Sequence, residues 1–586
     1  MTAIDIPASS TGLFTRMMRV KPESVINEEI AEEHQGGDGL KKTLSALAVT
    51  LFGAANVIGV GIFVVAAKAS ASATGSSVLV AFMLSALACA ISGICYARFS
   101  SRISSSGSSY TYVYSSMGEL FAFFAGLGLS CETSISSAFL ARAWSSFFRK
   151  NIGHDHFGTF KIIDGIVELD LFAPLLTLFI TALCLAGAKE STRLSGIMTL
   201  INSTMIACFV ITAVSSSAFE IQNIIEPAQF FPRGVAGLMK ATCMTFICYC
   251  GWDSVCCLSE EVKNPKRAIP RAIAGCLSLV AVLYCGVAFA LCGMANYTQM
   301  GTWAAERMAA DNVPKVDQLL NSKIREYAPN LSYVFEMRGI PWAAHFVSWG
   351  ILLTSFSASL ASAQGQPRIW FRMARDGLLP STVGKVNAAG TLQRGILWTG
   401  VVSTLLAAFI VDDQISDVIS AGVLLMQSFV CVSCLYYEAE RLRGAACKRL
   451  VSWLTIAIAA TAVAAGGCLQ ETGREPNLSG LTMDAARQAF DTAQANNAIW
   501  YYPVYAFVTA MLILCVITIA TVRDKAAIVP VFAIALNFFF AGNLGFFMIS
   551  MLLVVYLVAS LGYMSYGLRH SRLAAKAAET VTVESN

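Results

Sequence analysis

Two carboxylic acids lie deep within apolar stretches of this chain, Glu132 and Asp253, and a third, Glu119, stands at the edge of one. A buried acid is costly if charged and alone, so it must be protonated, paired or facing water. The chemistry open to Glu132 and Asp253 is proton carriage or contact with a cationic amine. The plain alternative is a hydrogen bond to a neighbouring helix. Two glycine interruptions accompany these acids. The apolar run 53–67 is broken at Gly59-Val60-Gly61, and the run 246–256 holds Gly251 two residues before Asp253. Glycines there let a helix open. The opened ends present bare N–H and C=O groups and carry partial charge. Such ends can seat an ammonium and a carboxylate at mid-membrane without a charged side chain. A small-residue packing face is the competing reading.

The elements that must hold these residues follow from composition. The chain has 586 residues, 56% hydrophobic and 13% charged. A soluble protein would carry about 25% charged residues. The expected fold is an all-α polytopic membrane protein of about 14 transmembrane helices of about 20 residues each. Apolar stretches place them near 44–67, 76–99, 117–147, 171–188, 194–217, 235–258, 270–293, 341–365, 394–411, 416–437, 450–468, 499–521, 526–546 and 548–568. Two interrupted helices five spans apart point to an inverted five-plus-five repeat with a midplane site. The expected division is a disordered cytoplasmic tail over 1–42, a ten-helix transport core over 43–437, four additional helices over 450–568 and a cytoplasmic tail over 569–586.

The even-numbered loops are short and rich in Lys and Arg, so they and both termini are expected inside. Sequons at Asn296, Asn330 and Asn477 then fall outside. The net charge of +4 gives no reason to expect a nucleic-acid partner. Eighteen cysteines sit mostly in apolar spans and read as small buried residues. No cofactor or metal is expected, and His154 with His156 does not make a metal site. Glu119 reads as interfacial, Arg142 and Lys240 as snorkelling, and Asn202 as packing glue. Pro265 is expected to end one helical stretch and Pro270 to open the next. On the inner side, Glu260 and Glu261 face sequence rich in arginine, including Arg368. These residues form either a solvated loop or an inner gate.

The chain resembles the cationic amino acid transporter (CAT) family of the amino acid–polyamine–organocation (APC) superfamily. The segments that carry the likeness are Ile58-Gly-Val-Gly-Ile-Phe-Val, Cys95-Tyr-Ala-Arg-Phe-Ser-Ser-Arg-Ile, Ser106-Gly-Ser-Ser-Tyr-Thr-Tyr-Val-Tyr, Ala141-Arg-Ala-Trp-Ser-Ser, Gly187-Ala-Lys-Glu-Ser, Gly251-Trp-Asp, Glu260-Glu-Val-Lys-Asn-Pro, Met373-Ala-Arg-Asp-Gly-Leu-Leu-Pro and Tyr566-Gly-Leu-Arg-His-Ser. The resemblance implies the APC/LeuT-like core with discontinuous helices 1 and 6. It implies a secondary transporter moving L-amino acids by alternating access. The substrate's head group would be bound at Ile58, Gly59, Val60, Gly61 and Ile62, and its side chain lined by Phe246, Tyr249, Cys250 and Gly251. Asp253 matches the family's acid in the sixth helix, and Glu132 a glutamate of plant and bacterial members in the third. The chain departs from the family at Arg98, where a glutamate is usual, at Asn202, where proton-coupled bacterial members have lysine, and at Ser259 and Arg372.

The leading expectation is transport of cationic amino acids, arginine or lysine. The alternatives are proton-coupled carriage of neutral amino acids or of polyamines, and, more remotely, a non-transporting amino-acid sensor. An enzyme is disfavoured, because no nucleophile–base pair or phosphate-cradling loop stands out. The plasma membrane is the expected location and lipid the expected surroundings. Oligomeric state is left open.

Overall fold

In lipid a backbone must satisfy its own polar groups, so long apolar runs free of charge become helices. The computed structural model describes residues 17–36, 39–153, 158–163, 167–226, 230–232, 234–297, 299, 331–387, 390–409, 415–472, 503–504, 506–543 and 555–573. A short helix, α1 (Glu23–Gln35), precedes the apolar domain. Then follow α2 (Ala46–Val57), α3 (Gly61–Ala69), α4 (Val78–Ser100), α5 (Ser109–Tyr114), α6 (Glu119–Asn151), α7 (Phe172–Leu185) and α8 (Ala188–Ser215). The second half holds α9 (Gly234–Phe246), α10 (Pro265–Met294), α11 (Pro341–Arg375), α12 (Gln393–Phe409) and α13 (Ile415–Thr472). α13 is two helices joined at Gly444, whose φ is +75°. Last come α14 (Ala506–Val522) and α15 (Ile528–Asn543).

Among the described residues nine helices are long and apolar enough to cross a membrane, or ten if α2 and α3 count as one bent span. Helices α7 and α14 are apolar but shorter. The expected last span lies partly outside the described residues, as do Asn330, Asn477, His154 and His156. α11 packs along α6, α10 crosses α2 and α4, and α15 runs against α13.

Several expectations are corrected. The fold is not purely α-helical: β1 (Thr159–Ile163) and β2 (Val167–Asp170) form an antiparallel hairpin between α6 and α7. Asp170 then accepts from the backbone N–H groups of Phe172 and Ala173 and so caps α7. The stretch expected as a disordered tail contains α1, with Ile26 and Ile30 buried against the bundle. Pro265, not Pro270, opens α10; Pro270 stands inside the helix, where its ring removes one i→i−4 hydrogen bond. α11 runs on past residue 365 to Arg375. The region between α4 and α6, expected as a loop, holds α5, whose six residues are all buried.

Candidate functional site

The first span opens where its glycines allow. α2 ends at Val57, α3 begins at Gly61, and the two are bent by 49°. Ile58, at ψ +83°, turns the chain out of the helix. Ile58, Val60 and Ile62 are buried, while Gly59 and Gly61 are half-buried. The freed carbonyl of Val57 accepts from the Tyr284 hydroxyl at 2.9 Å. That bond satisfies one of the groups that opening leaves bare.

The sixth span is interrupted at the corresponding place. α9 tightens into a 3₁₀ turn over Ile247–Tyr249, and Cys250 is extended. Gly251 has φ +102°, and Trp252–Glu261 continues as 3₁₀-helix. Phe246, Tyr249 and Gly251 are buried and Cys250 is half-buried. A Cβ at Gly251 would stand 2.8 Å from Nδ2 of Asn56. Gly251→Ala therefore meets both a backbone that costs about 1–2 kcal/mol for L-residues and a steric clash. Uptake per reconstituted molecule should fall about tenfold or more; an unchanged rate would show that glycine is dispensable there.

The two breaks touch. A Cβ on Gly61 would lie 3.2 Å from Sγ of Cys248. Asn56, at the end of α2, donates from Nδ2 to the Gly251 carbonyl and to Oγ of Ser254, both at 2.9 Å. Its Oδ1 accepts from Oγ of Ser362 on α11 at 2.7 Å. Sequence reasoning missed Asn56, although a lone amide one residue from the end of an interrupted helix was the available signal.

Glu132 and Asp253 are 7% and 1% exposed, and their carboxyls lie within electrostatic range of each other. Neither belongs to an ion pair among the described residues. Oε2 of Glu132 has no hydrogen-bond partner, and no side chain donates to either oxygen of Asp253. The Tyr249 hydroxyl and the Ser357 hydroxyl are also buried without partners. Buried polar atoms are normally satisfied, so each of these groups is open to a ligand or water. Asn202, expected as packing glue, is fully buried, and neither atom of its amide is bonded. The bond that the glue reading requires is therefore missing.

The acids expected at an inner gate are paired. Arg368 Nε donates to Glu261 at 2.6 Å, and Arg372 Nε donates to Glu260 at 2.5 Å. The Ser106 N–H and hydroxyl add bonds to Glu260 of 2.7 and 2.8 Å. Helix α1 closes over this layer. Glu33 pairs with Arg372 at 3.0 Å. Lys21 reaches both Glu29 and Asp376 at 2.5 Å, and Asp376 also accepts from Tyr110 at 2.6 Å. Burial opposes the charge on Lys21, yet Asp376 and Glu29 outweigh it and hold the ammonium above its usual pKa. Burial pushes the Glu33 carboxyl up, against the pull of Arg372.

Glu119, at the first residue of α6, is 1% exposed. It accepts from Tyr114, Tyr563 and Ser571 at 2.8, 2.8 and 2.6 Å, which fastens the last described segment to the start of α6. Arg98 donates to the Ala526 carbonyl at 2.6 Å and so joins α4 to the segment leading into α15. The eighteen cysteines are free thiols, and only Cys208 is exposed. Among the described residues no cluster suited to a metal occurs.

Removing Arg372 should be costly. Glu260 would keep its Ser106 bonds but lose its buried cation, at about 3–5 kcal/mol. Arg372→Ala should markedly lower the thermal midpoint in detergent. The double variant Glu260→Gln/Arg372→Met should recover most of that loss. A double variant as unstable as Arg372→Ala would argue against the ion pair as the cause.

Interrupted helices that meet among buried polar groups, inside a bundle of membrane-length helices, define an integral membrane transport protein. The chain belongs to the amino acid permease family, whose model matches residues 43–470. It is 31% identical over 395 residues to the methylthioribose transporter of Bacillus subtilis (strain 168), covering 66% of this chain and 78% of that protein. It is 32% identical over 413 residues to the mitochondrial cationic amino acid transporter 3 of Arabidopsis thaliana, covering 69% and 64%. A branched-chain amino acid permease, BcaP of Bacillus subtilis, is 28% identical over 415 residues, covering 69% and 82%. The chain thus spans just under two-thirds of the length of the plant relative.

Proposed function

We propose that this protein is a secondary carrier of L-amino acids, with cationic amino acids such as arginine and lysine as its preferred substrates. The observation that carries this reading is the pair Glu132 and Asp253, two buried acids in mutual range with no basic partner among the described residues. A cationic side chain entering beside them would relieve their repulsion and restore charge balance. The opened backbone at Ile58–Gly59–Val60–Gly61–Ile62 holds the substrate's ammonium and carboxylate. Phe246, Tyr249, Cys250 and Gly251 line its side chain. Residues 43–437 form a ten-helix inverted-repeat core, and 450–568 add four helices, for fourteen in all. The face that carries α1 is cytoplasmic, both termini lie there, and the plasma membrane is the working location. Glu260, Glu261 and Arg368, together with Arg372, form the inner gate, and their ion pairs support that reading.

Uptake of labelled arginine into proteoliposomes under an imposed inside-negative potential tests the reading. Potential-driven uptake competed by lysine supports it; absence of arginine flux overturns it. A second reading is proton-coupled carriage of neutral amino acids. The burial of Glu132 and Asp253 outside any ion pair among the described residues favours it, since a buried lone carboxyl is suited to carrying a proton, and similarity to a branched-chain permease is consistent with it. Leucine uptake that rises as outside pH falls would select it. Competition by putrescine, which lacks a carboxylate, separates polyamines from both. Binding without flux in sealed vesicles would instead indicate a sensor.

A further inference from the structure

Asn56 occupies an unusual position. It is the penultimate residue of α2 and half-buried, while Val57 and Ile58 beside it are buried. Its amide uses both N–H donors on the sixth break, one on the Gly251 carbonyl and one on the Ser254 hydroxyl. Its oxygen takes the Ser362 hydroxyl of α11. Ser254 in turn donates to the same Gly251 carbonyl at 2.6 Å. One amide therefore joins three elements: the first interrupted helix, the second, and the long helix beside them. An asparagine can offer two donors and accept twice, so three of its four capacities are used within the protein. Gly251 fits this arrangement, because any Cβ there would displace the amide.

We propose that Asn56 is a positioning residue that sets the spacing between the two helix breaks, and hence the seat of the substrate's head group, without reading the substrate's side chain. The inference rests on the reading of the two breaks as the ligand site. Its chemistry is specific. The bonds run to a main-chain carbonyl and to hydroxyls, so they fix backbone geometry. An aspartate of the same shape has no N–H to give and would face the Gly251 carbonyl with its own negative charge.

The test compares wild type with Asn56→Ala, Asn56→Asp, Ser362→Ala and the double variant Asn56→Ala/Ser362→Ala, using arginine and leucine as probes. Asn56→Ala should raise the apparent KM for each transported probe by the same factor, about tenfold, equivalent to two modest hydrogen bonds. Where both probes are transported, the arginine-to-leucine ratio should stay fixed. Asn56→Asp should be no better, and the double variant should be no worse than Asn56→Ala alone. A changed ratio, an additive double variant, or an unchanged KM with only lower folded yield would each overturn the proposal.

A second readout needs no ligand. Cys250 is half-buried beside the sixth break, and its modification by a small methanethiosulfonate, followed by peptide mass spectrometry, reports how far the breaks stand apart. Asn56→Ala should speed that modification about tenfold, the same equivalence, and an unchanged rate would overturn the proposal. If wild type takes up no amino acid but the Cys250 response is seen, the amino-acid reading fails while the positioning role of Asn56 stands.

Discussion

Gly61→Leu should abolish uptake while leaving the protein inserted and purifiable. Gly61 opens α3 and is half-buried, and a Cβ there would already lie 3.2 Å from Sγ of Cys248. That approach is tighter than an ordinary van der Waals contact, so even alanine forces the neighbouring turn to yield. Leucine adds three further carbons to the gap between the breaks, where the head group would lie. A loss of about two orders of magnitude corresponds to about 3 kcal/mol, within reach of a clash at the ligand's seat. The check is the initial rate of arginine and leucine uptake, normalised to reconstituted protein. Ordinary rates in this variant would sink the opened-helix account of binding. The effect should exceed that of Gly251→Ala, which adds a methyl rather than an isobutyl group.

Glu132→Gln is the second large effect, and its form separates the two proposed functions. The substitution keeps shape and hydrogen-bonding capacity but removes the charge and the titratable proton. If Glu132 faces a cationic substrate, the KM for arginine should rise by about one to two orders of magnitude, or about 1.4–2.8 kcal/mol, while leucine binding is unaffected. If Glu132 cycles a proton, accumulation against a gradient should be lost and the pH dependence should flatten, while exchange of internal for external substrate survives. Asp253→Asn serves as the companion, because the two carboxyls interact and their effects should not add. A variant with normal affinity and a normal pH profile would assign Glu132 to structure alone.

Glycine punctuation in apolar runs, paired at Gly59 and Gly61 and single at Gly251, made both breaks readable from sequence, because two such interruptions five spans apart fit opened helices better than a small-residue packing face. The acids Glu260 and Glu261 were readable as a cluster on one face for the same reason, since charge is scarce. Their partners were only half readable. Arg368 reaches Glu261, but Glu260 is held by Arg372, four residues further along a helix that outruns its apolar stretch. Hydropathy marks where lipid contact ends, not where a helix ends. α5 was missed because six residues are too few for a periodicity, and its three tyrosines with one serine and one threonine resemble a loop. α1 was missed because a run of glutamates looks solvated; its cationic partners, Lys21, Arg372 and Arg375, lie on separate elements that only the fold brings together. Asn56 is the sharpest case. A single amide in an apolar helix has no pattern, and its meaning lies wholly in Gly251, Ser254 and Ser362.

The fastening of both ends of the described chain to one face also dictates an order of events during synthesis. Lys21 leaves the ribosome 355 residues before its partner Asp376, and Glu119 is made 452 residues before Ser571 can bond to it. Helix α1 must therefore wait beside the nascent bundle with its buried face uncovered. The ion pairs that hold α1 can form only once Arg372, Arg375 and Asp376 have been made. Contacts of such long sequence separation are slow to close, so the Glu119–Ser571 fastening forms later than the ion pairs of α1.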